Sequence, residues 1–203
     1  DVGSVVKDIK KRVSSNIKLP DNYIIEYGGQ FESAASATRR LILASIGALL
    51  LIFMILYQEF KNTSLALIIL LNLPLAIIGG IFAIKLSSDV ISIPSMIGFI
   101  TLFGIATRNG ILLVSRYIHL ENEGIKPDQI IISGSVDRLT PILMTALTAA
   151  LALIPLALGC EKPGNEIQSP MAIVILGGLL SSTLLNLIVV PSVYSIFRNR
   201  QEI

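Results

Sequence analysis

Apolar residues gather into five long runs after position 38, each closed by a polar turn. The runs cover about 39–57, 63–86, 93–118, 138–158 and 169–197. Crossing the hydrocarbon of a bilayer takes roughly 20 residues of helix, and all five runs are about that long or longer. The pattern therefore predicts five membrane-spanning helices. They are separated by the tight turn Gln58-Glu59-Phe60-Lys61-Asn62, the break Ser87-Ser88-Asp89, a longer polar connection over 119–137 and a polar loop over 159–168. The first helix is expected to begin near Phe31. Within the long connection, 127–136 is expected to form a short helix lying on the membrane surface.

Residues 1–30 follow a different rule. Val5, Val6, Ile9, Val13 and Ile17 recur mostly at three- and four-residue steps, with Lys7, Lys10, Lys11 and Arg12 between them. That spacing predicts a short amphipathic helix facing water. Leu19-Pro20-Asp21-Asn22 reads as a turn, and the β-formers at 23–27, closed by Gly28-Gly29, read as a strand. One helix and one strand cannot bury a core. They are expected to be the end of a soluble domain, and the start at Asp1 suggests a piece of a longer protein.

Composition sharpens the class. With 53% hydrophobic and only 15% charged residues, the chain has too little charge to cover a water-soluble surface. A net charge of +2 makes no case for nucleic acid as a partner. Cys160 is the single cysteine and His119 the single histidine, which excludes an internal disulfide, a Cys-rich metal site and a hydrolytic triad. Met54, Met96, Met144 and Met171 are scattered over four spans without a pairing motif, so core filling is favoured over metal ligation. An enzyme is not expected.

Five spans place the two ends on opposite sides of the membrane. The turns at 58–62, 116–138 and 198–203 hold Lys61, Arg116, Lys126, Arg138, Arg198 and Arg200, whereas the opposite short loops hold Lys85 and Lys162. The positive-inside bias puts the C-terminus in the cytoplasm and residues 1–30 outside. Arg39 and Arg40 count against that assignment, although they adjoin the soluble part.

Arg108 is the strongest single signal for function. It lies in Gly104-Ile105-Ala106-Thr107-Arg108-Asn109-Gly110, with apolar sequence on both sides. A charge inside a span is costly and persists when something compensates it. The bland alternative is an arginine snorkelling to the membrane edge. Arg116, eight residues on and about 12 Å away along a helix, already marks that edge. From Phe60 to His119 the one carboxylate is Asp89, at the far end of a span. Arg108 must pair with acids from helices outside this chain or face a wet cavity, which points to a proton or ion relay completed elsewhere. A guanidinium stays protonated at physiological pH, so it can favour the ionised form of a neighbouring acid but does not itself carry the proton.

Asn109 adds a polar group next to Arg108 in sequence. Arg138 and Thr145, seven residues apart, fall on one helix face. Arg138 reads equally well as a positive-inside anchor, and Thr145 alone reads as a hydroxyl bonded back to its own helix. Pro74 and Pro141 lie inside spans, as do the pairs Gly79-Gly80 and Gly177-Gly178. Such residues serve close packing and kinks, and together they suit a bundle that moves.

Several segments resemble the resistance-nodulation-division (RND) efflux permeases. Tyr27-Gly28-Gly29-Gln30-Phe31-Glu32-Ser33 resembles the close of that family's second large periplasmic loop. The stretch from Gly98 through Arg108 to Leu113 resembles its tenth helix. Arg138-Leu139-Thr140-Pro141-Ile142-Leu143-Met144-Thr145 is similar to the start of the eleventh helix, Pro170-Met171-Ala172 with Gly177-Gly178 to the twelfth, and Val190-Pro191 to its exit. The likeness runs in order over almost the whole chain, and five spans agree with helices eight to twelve.

The resemblance implies an all-α membrane fold. A five-span bundle over 31–203 would form half of the permease's membrane part, with a small α/β periplasmic remnant over 1–30. It implies a multi-pass protein of the bacterial inner membrane, with the N-terminus periplasmic and the C-terminus cytoplasmic. It further implies a homotrimer that contains the missing N-terminal half and docks to a periplasmic adaptor protein and an outer-membrane channel. The implied activity is proton antiport driven by the proton gradient, without a cofactor. In drug-exporting members a lysine stands where Arg108 does. It works with fourth-helix aspartates, an arginine matching Arg138 and a threonine matching Thr145. The lysine-to-arginine change keeps the charge and argues against any scheme that needs a neutral amine there. The Gly-Gly-Gln-Phe-Glu-Ser approach is most similar to the heavy-metal branch, so a metal cation is favoured as substrate over drugs. The competing reading is a non-transporting membrane scaffold or truncated remnant.

Overall fold

The computed structural model describes residues 2–16, 25, 30–87, 89–159 and 162–199. They form seven helices: α1 (Val2–Asn16), α2 (Gln30–Phe60), α3 (Thr63–Leu70), α4 (Asn72–Ser87), α5 (Ile93–Asn122), α6 (Pro127–Leu158) and α7 (Gln168–Asn199). There is no strand among the described residues. The strand expected over 23–27 lies outside them except for Ile25, which belongs to no regular element. Packing divides the chain into two units, Asp1–Ala44 and Ser45–Ile203.

In the first unit α1 is helical as its periodicity requires. Its apolar stripe is only partly covered, because Val6 and Val13 are half-buried while Val5 and Ile9 are exposed.

Among the described residues five stretches are long and apolar enough to cross a membrane: Ser36–Phe60, Thr63–Ser87, Ile93–Asn122, Gln129–Leu158 and Gln168–Arg198. The turn after α2 is made by Lys61, whose φ of 49° lies in the left-handed region. Asn62 then caps α3, its side-chain oxygen accepting from the Ser64 N–H at 2.9 Å. At the far end Ser92 caps α5, accepting from the Ser95 N–H at 3.4 Å. Each cap satisfies one of the donors that a helix start leaves open.

The second crossing, Thr63–Ser87, is interrupted for one residue at Leu71, between α3 and α4; its backbone stays helical there (φ −59°, ψ −22°) and the Leu71 N–H still donates to the Leu67 carbonyl at 3.0 Å. Pro74 explains the position, because proline has no N–H for the carbonyl four residues before it, here that of Leu70.

α7 is the central helix of the second unit; α3, α4, α5 and α6 all pack against it. It meets α4 along a glycine seam. A Cβ at Gly79 would lie 2.5 Å from the Gly177 carbonyl oxygen, and one at Gly177 would lie 2.7 Å from the Gly79 carbonyl oxygen. A Cβ at Gly80 would fall 2.6 Å from the Phe99 ring, and one at Gly178 would fall 2.9 Å from the Ala76 carbonyl oxygen. Ser181 ties the seam by donating to the Leu75 carbonyl at 2.9 Å. One apolar cluster centres on Leu73, Ala76, Leu102, Phe103 and Ala106. A second, nearer the other end, includes Leu56, Ile69, Leu113, Tyr117, Ile130 and Tyr194.

That second end carries a polar network. Arg116 pairs with Asp137 at 2.6 Å, and Arg198 pairs with Glu121 at 3.2 Å. The Tyr194 hydroxyl donates to Glu121 at 3.3 Å. Tyr117, fully buried, shares a 2.6 Å hydrogen bond with Ser135 and lies against Tyr194 with ring centroids 4.9 Å apart. Replacing Tyr117 by Phe is expected to lower stability by about 1 kcal/mol, the net worth of a typical hydrogen bond. Tyr117→Ala, which also empties the ring's volume, is expected to cost roughly 3–5 kcal/mol. Unfolding midpoints in detergent rank the two, and equal losses would show that the hydroxyl, not the ring, dominates.

The chain departs from the sequence reading between 127 and 138. No separate surface helix precedes the fourth crossing, because α6 is continuous from Pro127 to Leu158. Ile130 is fully buried, and Gly134 lets the helix close on Tyr117, where a Cβ would approach the ring to 2.6 Å. Asp137, the last acid of the polar connection, is neutralised by Arg116. Its charge gives the helix no reason to stop.

Candidate functional site

α5 positions the central charge. Of the five crossings its mean hydropathy is lowest, 1.7, yet half of its span is buried, against 11% for α6. Successive residues on a helix turn about 100° from each other; Thr107 and Arg108 still border one crevice, while Asn109 does not. Thr107 and Asn109 are buried, each 5% exposed, whereas Arg108 is exposed. The Thr107 hydroxyl donates to the Phe103 carbonyl at 2.7 Å and is satisfied within its own helix.

Arg108 borders a crevice of about 250 Å³ between α5 and the second half of α2. Ile52, Ile55 and Leu56 form one wall; Gly104, Ile111 and Leu112 join Arg108 on the other. The surroundings are almost wholly apolar. Among the described residues no hydrogen bond or ion pair reaches the guanidinium. A charge in such a place needs an outside partner or water.

The other candidates are spread out. Asn109 is buried on another side of α5 and does not join Arg108 at the crevice. Arg138 is half-buried on α6 and its Nε is buried without a partner. Thr145 is exposed, with its hydroxyl donating to the Ile142 carbonyl at 2.9 Å. α6 runs antiparallel to α5 in the register set by Arg116–Asp137 and Tyr117–Ser135. Continued along both helices, that register brings Thr145 to the height of Arg108. Arg138 stands about two turns away, level with the Arg116 end. No hydrogen bond links Arg108 to Asn109, Arg138 or Thr145 among the described residues.

Pro74, Gly79, Gly80, Gly177 and Gly178 belong to the α3–α4 break and the α4–α7 seam. Pro141 and Pro155 lie inside α6 without interrupting it. No group of three or more His, Cys, Asp or Glu suited to a metal ion occurs among the described residues.

Three residues escaped the sequence reading. Asn72 and Asn186 are each 1% exposed and Thr183 is 3% exposed. Both amide atoms of each asparagine, and the Thr183 hydroxyl, are buried without a hydrogen-bond partner. The signal was present: both asparagines sit in the same context, Leu70-Leu71-Asn72-Leu73 and Leu184-Leu185-Asn186-Leu187, polar amides inside runs that cross a membrane.

The arrangement is a bundle of helices able to cross a membrane, with a charge at mid-span that has no partner among the described residues and a small-residue seam beside it. The sequence profile of the AcrB/AcrD/AcrF family matches residues 1–198, and the chain belongs to that family. It is 39% identical over 202 residues to the cobalt-zinc-cadmium resistance protein CzcA of Cupriavidus metallidurans, covering 100% of this chain and 19% of the relative. It is 38% identical over 202 residues to the nickel-cobalt-cadmium resistance protein NccA of Alcaligenes xylosoxydans xylosoxydans, with the same coverage. A crystal structure of a heavy metal efflux pump superposes with a TM-score of 0.85 at 33% identity, covering 98% of this chain and 20% of that one. The chain thus spans about a fifth of the length of the relatives it matches.

Proposed function

We propose that this chain is helices eight to twelve of a proton-coupled permease that exports heavy-metal cations across the bacterial inner membrane. The observation that carries the reading is Arg108, a mid-span guanidinium without a partner among the described residues. A membrane scaffold gains nothing from such a charge, whereas a relay needs one. Carboxylates on a helix of the missing N-terminal half would face Arg108, and their protonation would cancel the attraction between the two halves. Thr145, level with Arg108, and Arg138, two turns towards the cytoplasm, would complete the polar path. The relatives' resistance to nickel, cobalt, zinc and cadmium supports a divalent cation as the substrate. Drug or other amphiphile export is the competing substrate reading. The working unit is a homotrimer joined to a periplasmic adaptor and an outer-membrane channel. Its N-terminal part is periplasmic and its C-terminus cytoplasmic, in keeping with the basic residues of the loops.

The test uses the complete permease in proteoliposomes loaded with a metal-sensitive dye. An imposed proton gradient is expected to drive cobalt or zinc against its own gradient, with proton flux in the opposite direction. Metal movement that ignores the gradient would end the antiport reading. Movement of an amphiphilic dye in place of metal would keep antiport and change the substrate.

A further inference from the structure

Arg108 is exposed beside its apolar crevice, but other polar groups lie inside the bundle. Asn72, Thr183 and Asn186 are almost completely buried, and five of their side-chain polar atoms have no partner. An amide buried without hydrogen bonds costs a few kcal/mol, and such groups in a native interior call for an explanation.

The helix registers bring these residues to one level. α4 and α7 run antiparallel, with Gly79 against Gly177 and the Leu75 carbonyl against Ser181. Continuing that register places Asn72 beside the turn of α7 that holds Thr183 and Asn186. α5 runs parallel to α7, with Gly98 against Val174 and Leu102 against Gly178, which brings Asn109 and Gly110 to the same height. The Asn72 amide indeed lies over Gly110, where a Cβ would stand 2.6 Å from its nitrogen. Gly110 thus leaves room for this amide that any larger residue would take.

Backbone acceptors add to the layer. Pro74 offers no N–H to the Leu70 carbonyl, and Pro191 offers none to the Leu187 carbonyl. One of these carbonyls lies two residues from Asn72, and the other follows directly after Asn186. Amide donors, amide acceptors and a hydroxyl without partners thus share one level where α4, α5 and α7 pack, with two carbonyls that proline leaves without an i+4 donor close by in sequence. The set is neutral and mixes donors with acceptors, which suits water, a molecule able to give and accept, rather than an ion.

We propose that Asn72, Thr183 and Asn186 form an internal hydration site at the centre of the bundle, holding a small water cluster beside the α3–α4 break. Water supplies each open donor and acceptor. The inference stands apart from the transport reading and needs no assumption about substrate.

The test is cysteine accessibility in the complete permease freed of its native cysteines, Cys160 included. Asn72→Cys and Asn186→Cys are compared with Leu113→Cys, an equally buried position on α5 with 0% exposure and apolar neighbours. The probe is 2-aminoethyl methanethiosulfonate, small, water-soluble and reactive only towards hydrated thiolate. Modification at both asparagine positions is expected to be at least tenfold faster than at Leu113; any smaller ratio overturns the site. The pair Asn72→Leu and Asn186→Leu gives an independent reading should a cysteine variant fail to accumulate. Leucine ejects the water and leaves the Thr183 hydroxyl and the freed carbonyls without it, so the melting temperature falls. A rise in melting temperature would mean that the amides were dry and merely tolerated, and would overturn the proposal.

Discussion

Arg108→Ala in the complete permease is expected to cut the initial efflux rate by at least tenfold while leaving expression and trimer assembly unchanged. Removing one member of a buried charge pair strands the other, at roughly 3–5 kcal/mol. On the proposed relay, carboxylates facing Arg108 from the rest of the permease would answer by staying protonated throughout the cycle. The pump would then bind its substrate and fail to turn over. Arg108→Lys is the companion measurement. It keeps the positive charge and loses the planar fork, so partial activity is expected, above alanine and below the parent. Efflux from everted vesicles, read as the rate of metal uptake, ranks the three. Full activity in the alanine variant would remove Arg108 from the relay and leave the chain a helical anchor.

Gly177→Val is expected to destabilise the protein by about 3 kcal/mol or more, at the upper end of overpacking costs. The neighbours that a side chain would meet are Ala83 and the Gly79 carbonyl oxygen, the latter 2.7 Å from the first added carbon. Backbone cannot rotate aside as a side chain can. α4 and α7 would have to part, breaking the Ser181 bond to Leu75 and opening the apolar cluster around Leu102. Gly47→Ala is the control. That position has nothing within 4 Å of an added Cβ, and alanine in place of a mid-helix glycine adds about 0.5–1 kcal/mol of helix stability. Thermal unfolding of the purified protein should move in opposite directions for the two variants. A Gly177→Val protein as stable as the parent would show that the seam has slack.

The five crossings were legible because lipid selects for uninterrupted apolar runs, a signal written into composition and independent of tertiary context. The break at Leu71 was less so. Pro74 was visible, but a proline in a membrane helix bends, breaks or changes nothing according to its neighbours, and Pro141 and Pro155 sit in an unbroken α6. The continuity of α6 was hidden for another reason. Asp137 and Arg138 read as the edge of a span until Arg116, 21 positions earlier, is known to meet Asp137. The site was half legible. Arg108 stood out as a charge within hydrocarbon, but its face on α5, and the burial of Asn109 on another, depend on which helices pack where. Asn72 and Asn186 were overlooked because a neutral amide barely lowers a hydropathy average. Their importance comes from being stacked at one height by α4, α5 and α7.

α5, α6 and α7 hold 30, 32 and 32 residues, so each is about 45–48 Å long, well beyond the ~30 Å thickness of bilayer hydrocarbon. At one shared end Arg116–Asp137 and Arg198–Glu121 bolt the three rods together. A tilt of about 10° within the lipid would swing a point ~15 Å from the pivot by roughly 3 Å, and the ion pairs would carry all three rods together. What lies beyond the hydrocarbon on that side is the shared, ion-paired end. Motion started deep in the bilayer would thus be delivered, enlarged and in step, to whatever touches that end from the aqueous side.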